Sequence, residues 1–455
     1  MAQNTRTGDL TSGPMLQKII LFSLPLAASS ILQLLFNAAD VVVVGRFAGS
    51  TALAAVGSNG ALINLLVNLF VGLALGANVV AARCYGAKDD QGVHEAVQTA
   101  VTLSLVGGVL MAFVGFFAAH GLLELMSSPE DVIDLATLYL KIYFIGMPMT
   151  MLYNFNASLL RAVGDTRRPL VCLAVAGVIN VVLNLLFVIV FQMSVAGVAL
   201  ATILSQTVSA IMVTVLLVKE EGAMHLDLRH LGFHKKALLQ IIQIGLPAGL
   251  QSTVFSLSNV VIQSAINSFG STVVAGSSAS ANLEGFVYTA MNAFSQAAVT
   301  FTSQNMGARK YQNLNRVVLN CLLCAIVTGV VLGGGAVLAG NQLLHFYSSD
   351  AAVIAAGYER LRVICGTYLL CGIMDTLASS LRGLGYSVLP MVVSLVGSCL
   401  LRLVWIATIF QLNRTPFMLY ISYPISWVLT AAVHLACLLV VRHKMRQRGQ
   451  TLQAA

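Results

Sequence analysis

Charge is what this 455-residue chain has least of. Asp, Glu, Lys and Arg together make up 9% of it, against 58% hydrophobic residues. Soluble domains carry about 25% charged residues, so a soluble globular protein is excluded. The eight cysteines lie in or beside apolar stretches, which does not fit an extracellular disulfide framework. Cys321 and Cys324 form a CxxC without a second pair and read as packing residues. There is no GxxxxGK[ST] loop for ATP, no HExxH, and no GxSxG with triad partners. An enzyme is therefore not expected, and work done across a membrane has to draw on an ion gradient. No cofactor is expected beyond H⁺ or Na⁺ as coupling ion.

The long apolar runs that remain define the class. Mean hydropathy is +0.86, and a span needs about 20 mostly apolar residues. About twelve such stretches are present, so the fold class is an all-α membrane protein, helices being the structure that satisfies backbone groups in lipid. The first ten or so residues are polar and no cleavage pattern follows, so the first apolar run is expected to be a retained helix.

The formal charge of +8 does not point to nucleic acid. Numbering the apolar segments 1 to 12, 19 of the 25 Lys and Arg fall at the termini and in the loops after even-numbered segments, Arg6, Arg83, Arg161, Arg382, Arg446 and Arg448 among them. By the positive-inside rule both termini are cytoplasmic.

The sequence repeats itself. Leu160-Arg161-Ala162-Val163-Gly164 with Pro169 matches Leu381-Arg382-Gly383-Leu384-Gly385 with Pro390, and Gly86-Ala87-Lys88 matches Gly307-Ala308-Arg309. Pro25 and Pro247 sit at corresponding places in apolar helices, where each removes a helix hydrogen bond and favours a kink. Two homologous halves of six spans follow, with residues 1–218 as the first lobe, 219–236 as a cytoplasmic linker and 237–455 as the second lobe. Because six is even, the lobes are parallel repeats about a pseudo-two-fold axis along the membrane normal, an arrangement suited to rocking about a central cleft.

Three acidic residues lie within apolar segments: Asp40 in the first, Glu284 in the eighth and Asp375 in the tenth. A carboxylate at membrane depth costs roughly 2.5–3.5 kcal/mol on insertion scales and marks a functional site by default. Near Asp40 the expected partners are Asn180 and Asn184, spaced i,i+4 on segment 5, with Thr202 and Gln206 at the same spacing on segment 6 and Asn156 on segment 4. Such oxygens can hold a proton on Asp40 or coordinate Na⁺: burial disfavours the charged carboxylate, and a bound cation favours it. Interhelical hydrogen bonding is the competing use of the amides. In the second half, Glu284 and Asp375 either face a substrate cavity and attract cations or pair with basic groups near helix ends. Gln251 and Asn259 on segment 7 could add polar lining, as could Gln206 in the first half.

The assembled pattern resembles the multidrug and toxic compound extrusion (MATE) family. The residues that carry the resemblance are Ser23-Leu24-Pro25, Asn37-Ala38-Ala39-Asp40 with Gly45, Gly86-Ala87-Lys88, Leu160 to Thr166, and Asn180-Val181-Val182-Leu183-Asn184 with their second-half echoes. It implies two six-helix lobes in a V, exchange of cationic or amphipathic drugs for H⁺ or Na⁺, and a cation site in the first lobe at positions matched by Asp40, Asn180 and Thr202. Asn184 stands where many bacterial relatives carry Asp, which leans the coupling towards H⁺. Phe255 stands near the place of an acid that some relatives carry on segment 7. The reading is a multidrug efflux antiporter of a bacterial inner membrane, monomeric, with lipid and small organic cations as partners. The rival is a lipid-linked precursor flippase of the same superfamily, which a strongly basic cleft would favour.

Overall fold

The computed structural model describes residues 8–125 and 130–453, without the side chains of Ser58, Ala61 and 446–453. Arg6 and the side chains of Arg446 and Arg448 therefore lie outside the described residues. Among those described there are helices and no strands. The first half contains α1 (Met15–Phe47), α2 (Ser50–Gly86), α3 (Asp90–Leu125), α4 (Glu130–Ile145), α5 (Met147–Ala162), α6 (Arg167–Val190) and α7 (Ser194–Lys219). The second contains α8 (Lys235–Asn267), α9 (Ser271–Gly307), α10 (Tyr311–Leu338), α11 (Ala351–Gly366), α12 (Tyr368–Gly383), α13 (Val388–Leu412) and α14 (Pro416–Met445), with a short turn of helix at Gly340–His345.

Nine of these helices are long and apolar enough to span a membrane, and two bent pairs raise the number to eleven. The pairs are α4–α5, bent by 50°, and α11–α12, bent by 44°, at corresponding places in the two halves. The twelfth expected span, α9, has the length without the apolarity. Ser277, Ser280, Glu284, Ser295, Gln304 and Asn305 along it are buried, and a helix surrounded by protein does not need an apolar surface.

The duplication is written into the backbone. Positive φ angles recur 221 residues apart: Gly49 (93°) and Gly270 (91°), Lys88 (58°) and Arg309 (54°), Gly164 (85°) and Gly385 (95°). Close approaches recur too. A Cβ on Gly108 would lie 2.5 Å from Pro148 Cα, and one on Gly329 would lie 2.9 Å from Leu369 Cα. Lys88 and Arg309 are the telling pair, since side chains other than glycine's rarely adopt that region.

The chain divides into two compact units, one built on Ala28–Gly249 and the other on Asp9–Ala27 with Leu250–Ala455. Both changes of unit fall inside a helix, just after Pro25 in α1 and just after Pro247 in α8. The 219–236 stretch, expected to be a solvated linker, is instead anchored within the first unit. Leu226 is fully buried and its amide donates to Leu217 O at 3.0 Å, while the His234 amide donates to Thr99 Oγ1 on α3 at 3.0 Å. Alternating apolar residues in that stretch, Met224 and Leu226, fill space that charge counting overlooks.

In the first unit, α2 and the start of α8 meet backbone to backbone. A Cβ on Gly245 would come within 2.6 Å of Leu73 Cα, and one on Gly249 within 2.5 Å of Leu69 O. Glycine is required because no side-chain movement can relieve a backbone clash. In the second unit, residues 9–14 form a strap. The Leu10 amide donates to Gln304 Oε1 (3.1 Å), and Asn305 Nδ2 to Leu10 O (3.2 Å). Lys310 Nζ and Asn313 Nδ2 both donate to Thr11 O, at 3.2 and 2.9 Å. Although burial opposes its ionisation, hydrogen bonds from Ser12 and Thr11 hold Asp9 down at about 2, below its ordinary 3.8.

Two outcomes follow from this packing. Gly245→Leu should destabilise the protein by about 1–3 kcal/mol or more through overpacking, read as a lowered melting temperature in detergent. The Asp9 contribution to the strap is present above about pH 4 and lost as pH falls through about 2; amide hydrogen exchange at Leu10 should accelerate over that window and not above it.

Candidate functional site

In the first unit α1 and α6 touch through a glycine. A Cβ on Gly177 would fall 1.7 Å from Cε2 of Phe36, so the ring of Phe36 occupies the space that any other residue would fill. Asp40 is one turn beyond Phe36 on α1; Asn180 and Asn184 are one and two turns beyond Gly177 on α6. The contact thereby sets the carboxylate against the amides. Asn184 Nδ2 donates to Asp40 Oδ1, and also to Asn180 Oδ1 at 3.2 Å. Asn184 is fully buried, and its Oδ1 finds no hydrogen-bond partner among the described residues. Directly after it, Leu186–Val190 widens into a π-turn, a distortion frequent at functional sites. Tyr139 of α4, its ring stacked on Tyr143 with centroids 6.3 Å apart, is within electrostatic reach of Asp40.

Asp40 has no basic partner among the described residues. Of the groups expected beside it, Asn184 bonds to it directly and Asn180 is linked to it through Asn184. Asn156 is fully buried on α5 and donates to Thr214 Oγ1 of α7 at 2.8 Å, with its Oδ1 unpartnered among the described residues. The Thr202 hydroxyl donates within α7 to Val198 O at 2.9 Å. Gln206, one turn further, has a buried Oε1 without a partner among the described residues.

In the second unit the acids are differently placed. Glu284, 5% exposed, is locked in a two-pronged pair with Arg360: Nε to Oε1 is 2.8 Å and Nη2 to Oε2 is 2.9 Å. Ser280 also donates to Oε1 at 2.8 Å, and Arg360 Nη1 donates to Ser277 Oγ at 2.8 Å. Of the two uses left open for Glu284, the substrate-cavity placement is corrected in favour of pairing with a basic group: both its oxygens are taken. The guanidinium comes from α11, 76 residues away in sequence, where spacing along one helix gives no signal. Asp375 interacts with the Tyr288 hydroxyl and with Arg382 and Arg402. Arg382 Nη2 in turn donates to Gln251 Oε1 at 2.5 Å. Asn259 is exposed on α8. Arg402 is 4% exposed, lies 4.2 Å from the Tyr423 ring centroid and 5.8 Å from that of Trp427, and donates to Ser426 Oγ at 2.8 Å. Aromatic faces stabilise a buried cation in this way.

Shifting by 221 residues places Leu377, Leu401, Trp405 and Tyr423 where the first half has Asn156, Asn180, Asn184 and Thr202; Val261 and Ile262 flank the place of Asp40. The polar constellation around Asp40 therefore has no counterpart in the second half.

Comparison with known proteins agrees with this duplicated architecture. The MatE family profile matches the chain twice, over residues 25–186 and 247–408. The chain belongs to the MatE family. A Bacillus subtilis relative described as probable multidrug resistance protein YpnP is 30% identical to this MatE protein over 397 residues, covering 87% of this chain and 88% of its own. A second from that organism, probable multidrug resistance protein YoeA, is 28% identical over 382 residues, covering 82% of each. Among solved structures, a MATE in complex with MaL6 superposes on this MatE chain with a TM-score of 0.91 at 21% identity, covering 98% of this chain and 100% of that one. An outward-facing multidrug resistance MATE family transporter gives 0.90 at 22% identity with the same coverage. The likeness to these structures fixes the fold, which is all-helical, and the double profile match marks its two-fold repeat.

Replacing Gly177 with Ala should displace Phe36 and lengthen the Asp40–Asn184 contact, at a stability cost of about 1–3 kcal/mol. Transport measured beside expression level should fall in the single variant and recover in Gly177→Ala/Phe36→Ala, a coupling that a double-mutant cycle resolves.

Proposed function

We propose that this MatE protein is a secondary active efflux antiporter of a bacterial inner membrane, exporting organic cations or amphipathic drugs by alternating access and driven by a proton gradient. The observation that carries the reading is the Asp40–Asn184–Asn180 chain of hydrogen bonds on α1 and α6. An acid held by an amide donor keeps that bond whether it is charged or protonated, so it can gain and lose a proton without dismantling its surroundings. An acid paired with a guanidinium cannot, because removing one charge leaves the other buried and uncompensated. Glu284 is of the second kind and is assigned to structure.

The choice of H⁺ over Na⁺ rests on the same contact. Sodium needs several oxygens directed at one point, and here an N–H occupies one face of the carboxylate. A proton needs one oxygen. The relatives' description as probable multidrug resistance proteins supports the substrate class.

The test is efflux of a fluorescent organic cation from proteoliposomes, with pH and Na⁺ gradients imposed separately. The pH gradient alone should drive it, and Asp40→Asn should insert and fold normally yet lose gradient-driven efflux. Full efflux by that variant would refute the assignment, and drive by Na⁺ alone would refute the choice of ion.

A further inference from the structure

The glycine seam between α2 and α8 has a second effect, at the far end of α2. The helices run antiparallel at backbone contact: a Cβ on Gly72 would lie 2.2 Å from Gly249 N, and one on Gly76 would lie 2.3 Å from Ile241 O. Each step along α2 is met by the same step back along α8, so the last turn of α2 arrives beside Lys236 and Ala237. The turn into α3 folds back over this junction, with Lys88 at φ 58° and Asp89 Oδ1 accepting from the Gly92 amide at 2.9 Å. Three helix ends thus enclose a cavity of about 380 Å³, lined among others by Arg83, Lys236, Asp89, Glu95, Gln91 and Gln240.

Its charges do not cancel internally. The acids already have neutral donors, Asp89 from the Gly92 amide and Glu95 from Gln91 Nε2 at 3.1 Å. Among the described residues no ion pair joins Arg83 or Lys236 to either acid. Among the described residues Arg83 Nε and Nη2 are buried and without a hydrogen-bond partner, a costly state for a partly buried cation. Two cations and two carboxylates facing one cavity unpaired match a ligand that carries both signs a few ångströms apart. We propose that this cavity binds a phosphoethanolamine group, its phosphate against Arg83 and Lys236 and its ammonium against Asp89 and Glu95. The cavity lies at the ends of three helices, α2, α3 and α8, that are long and apolar enough to span, the depth at which lipid headgroups sit.

The experiment uses the full chain purified in detergent and in nanodiscs, with binding followed by native mass spectrometry and by the shift in melting temperature. The probes are phosphatidylethanolamine, phosphatidylglycerol, phosphatidylcholine and soluble glycerophosphoethanolamine. Phosphatidylethanolamine should bind more tightly than the glycerol and choline lipids. Arg83→Gln and Lys236→Gln should each weaken it about tenfold or more, as loss of a charge-assisted contact does, while Lys236→Arg should retain it. Binding of glycerophosphoethanolamine as tight as that of the lipid would support the site and identify a soluble ligand; a clear preference for the lipid would support it and identify the bilayer as the source. Equal binding of phosphatidylglycerol or phosphatidylcholine, or no loss in Lys236→Gln while the protein melts normally, would overturn the proposal.

Discussion

A carboxylate inside an apolar helix that faces an amide rather than a guanidinium is the constraint on which the first unit turns. Its geometry depends on a missing side chain: Gly177 lets Phe36 lie against α6, and that contact brings Asp40 level with Asn184. Asn184 then spends both amide hydrogens, one on Asp40 and one on Asn180, so the three residues act as a unit. The π-turn that follows gives α6 a local irregularity where regular packing would otherwise leave none.

The second unit keeps the same backbone plan and uses it for something else. The positive-φ turns, the helix–helix glycines and the bent pairs recur, yet the amide positions become Leu377, Leu401 and Trp405. Its buried charges are held by partners: Glu284 by Arg360 and two serines, Arg402 by aromatic faces and Ser426. Removing one member of such a set leaves an uncompensated charge at a cost of about 3–5 kcal/mol, so these sets act as structural ties between helices. Duplication supplied two scaffolds, and among the described residues the acid held by amides is found in the first.

Much of this was legible in the sequence. Scarcity of charge and repeated apolar runs gave the class; the 221-residue offset gave the repeat, because the turn glycines and cationic caps that enforce it are identifiable residues. Helical spacing puts Asn180 and Asn184 on one face, but it is the structure that sets that face against Asp40. Long-range partnerships were not legible. Nothing in the spacing of Glu284 points to Arg360, and nothing in a run of small residues tells that Gly177 is there for Phe36. The 219–236 stretch misled because its charges outnumber the two apolar residues that pin it. Helix α9 failed a hydropathy test for the opposite reason, its polar residues being turned into protein.

The one-sidedness of the amide-held acid bears on stoichiometry. If a single carboxylate carries the coupling, no more than one elementary charge returns for each molecule expelled. A potential of 100 mV is worth about 2.3 kcal/mol per charge, and at 1.4 kcal/mol per decade that sustains roughly a forty-fold accumulation of a neutral compound. Each unit of pH across the membrane would add a further tenfold per proton, and a singly charged cation exchanged for one proton would feel the pH difference alone.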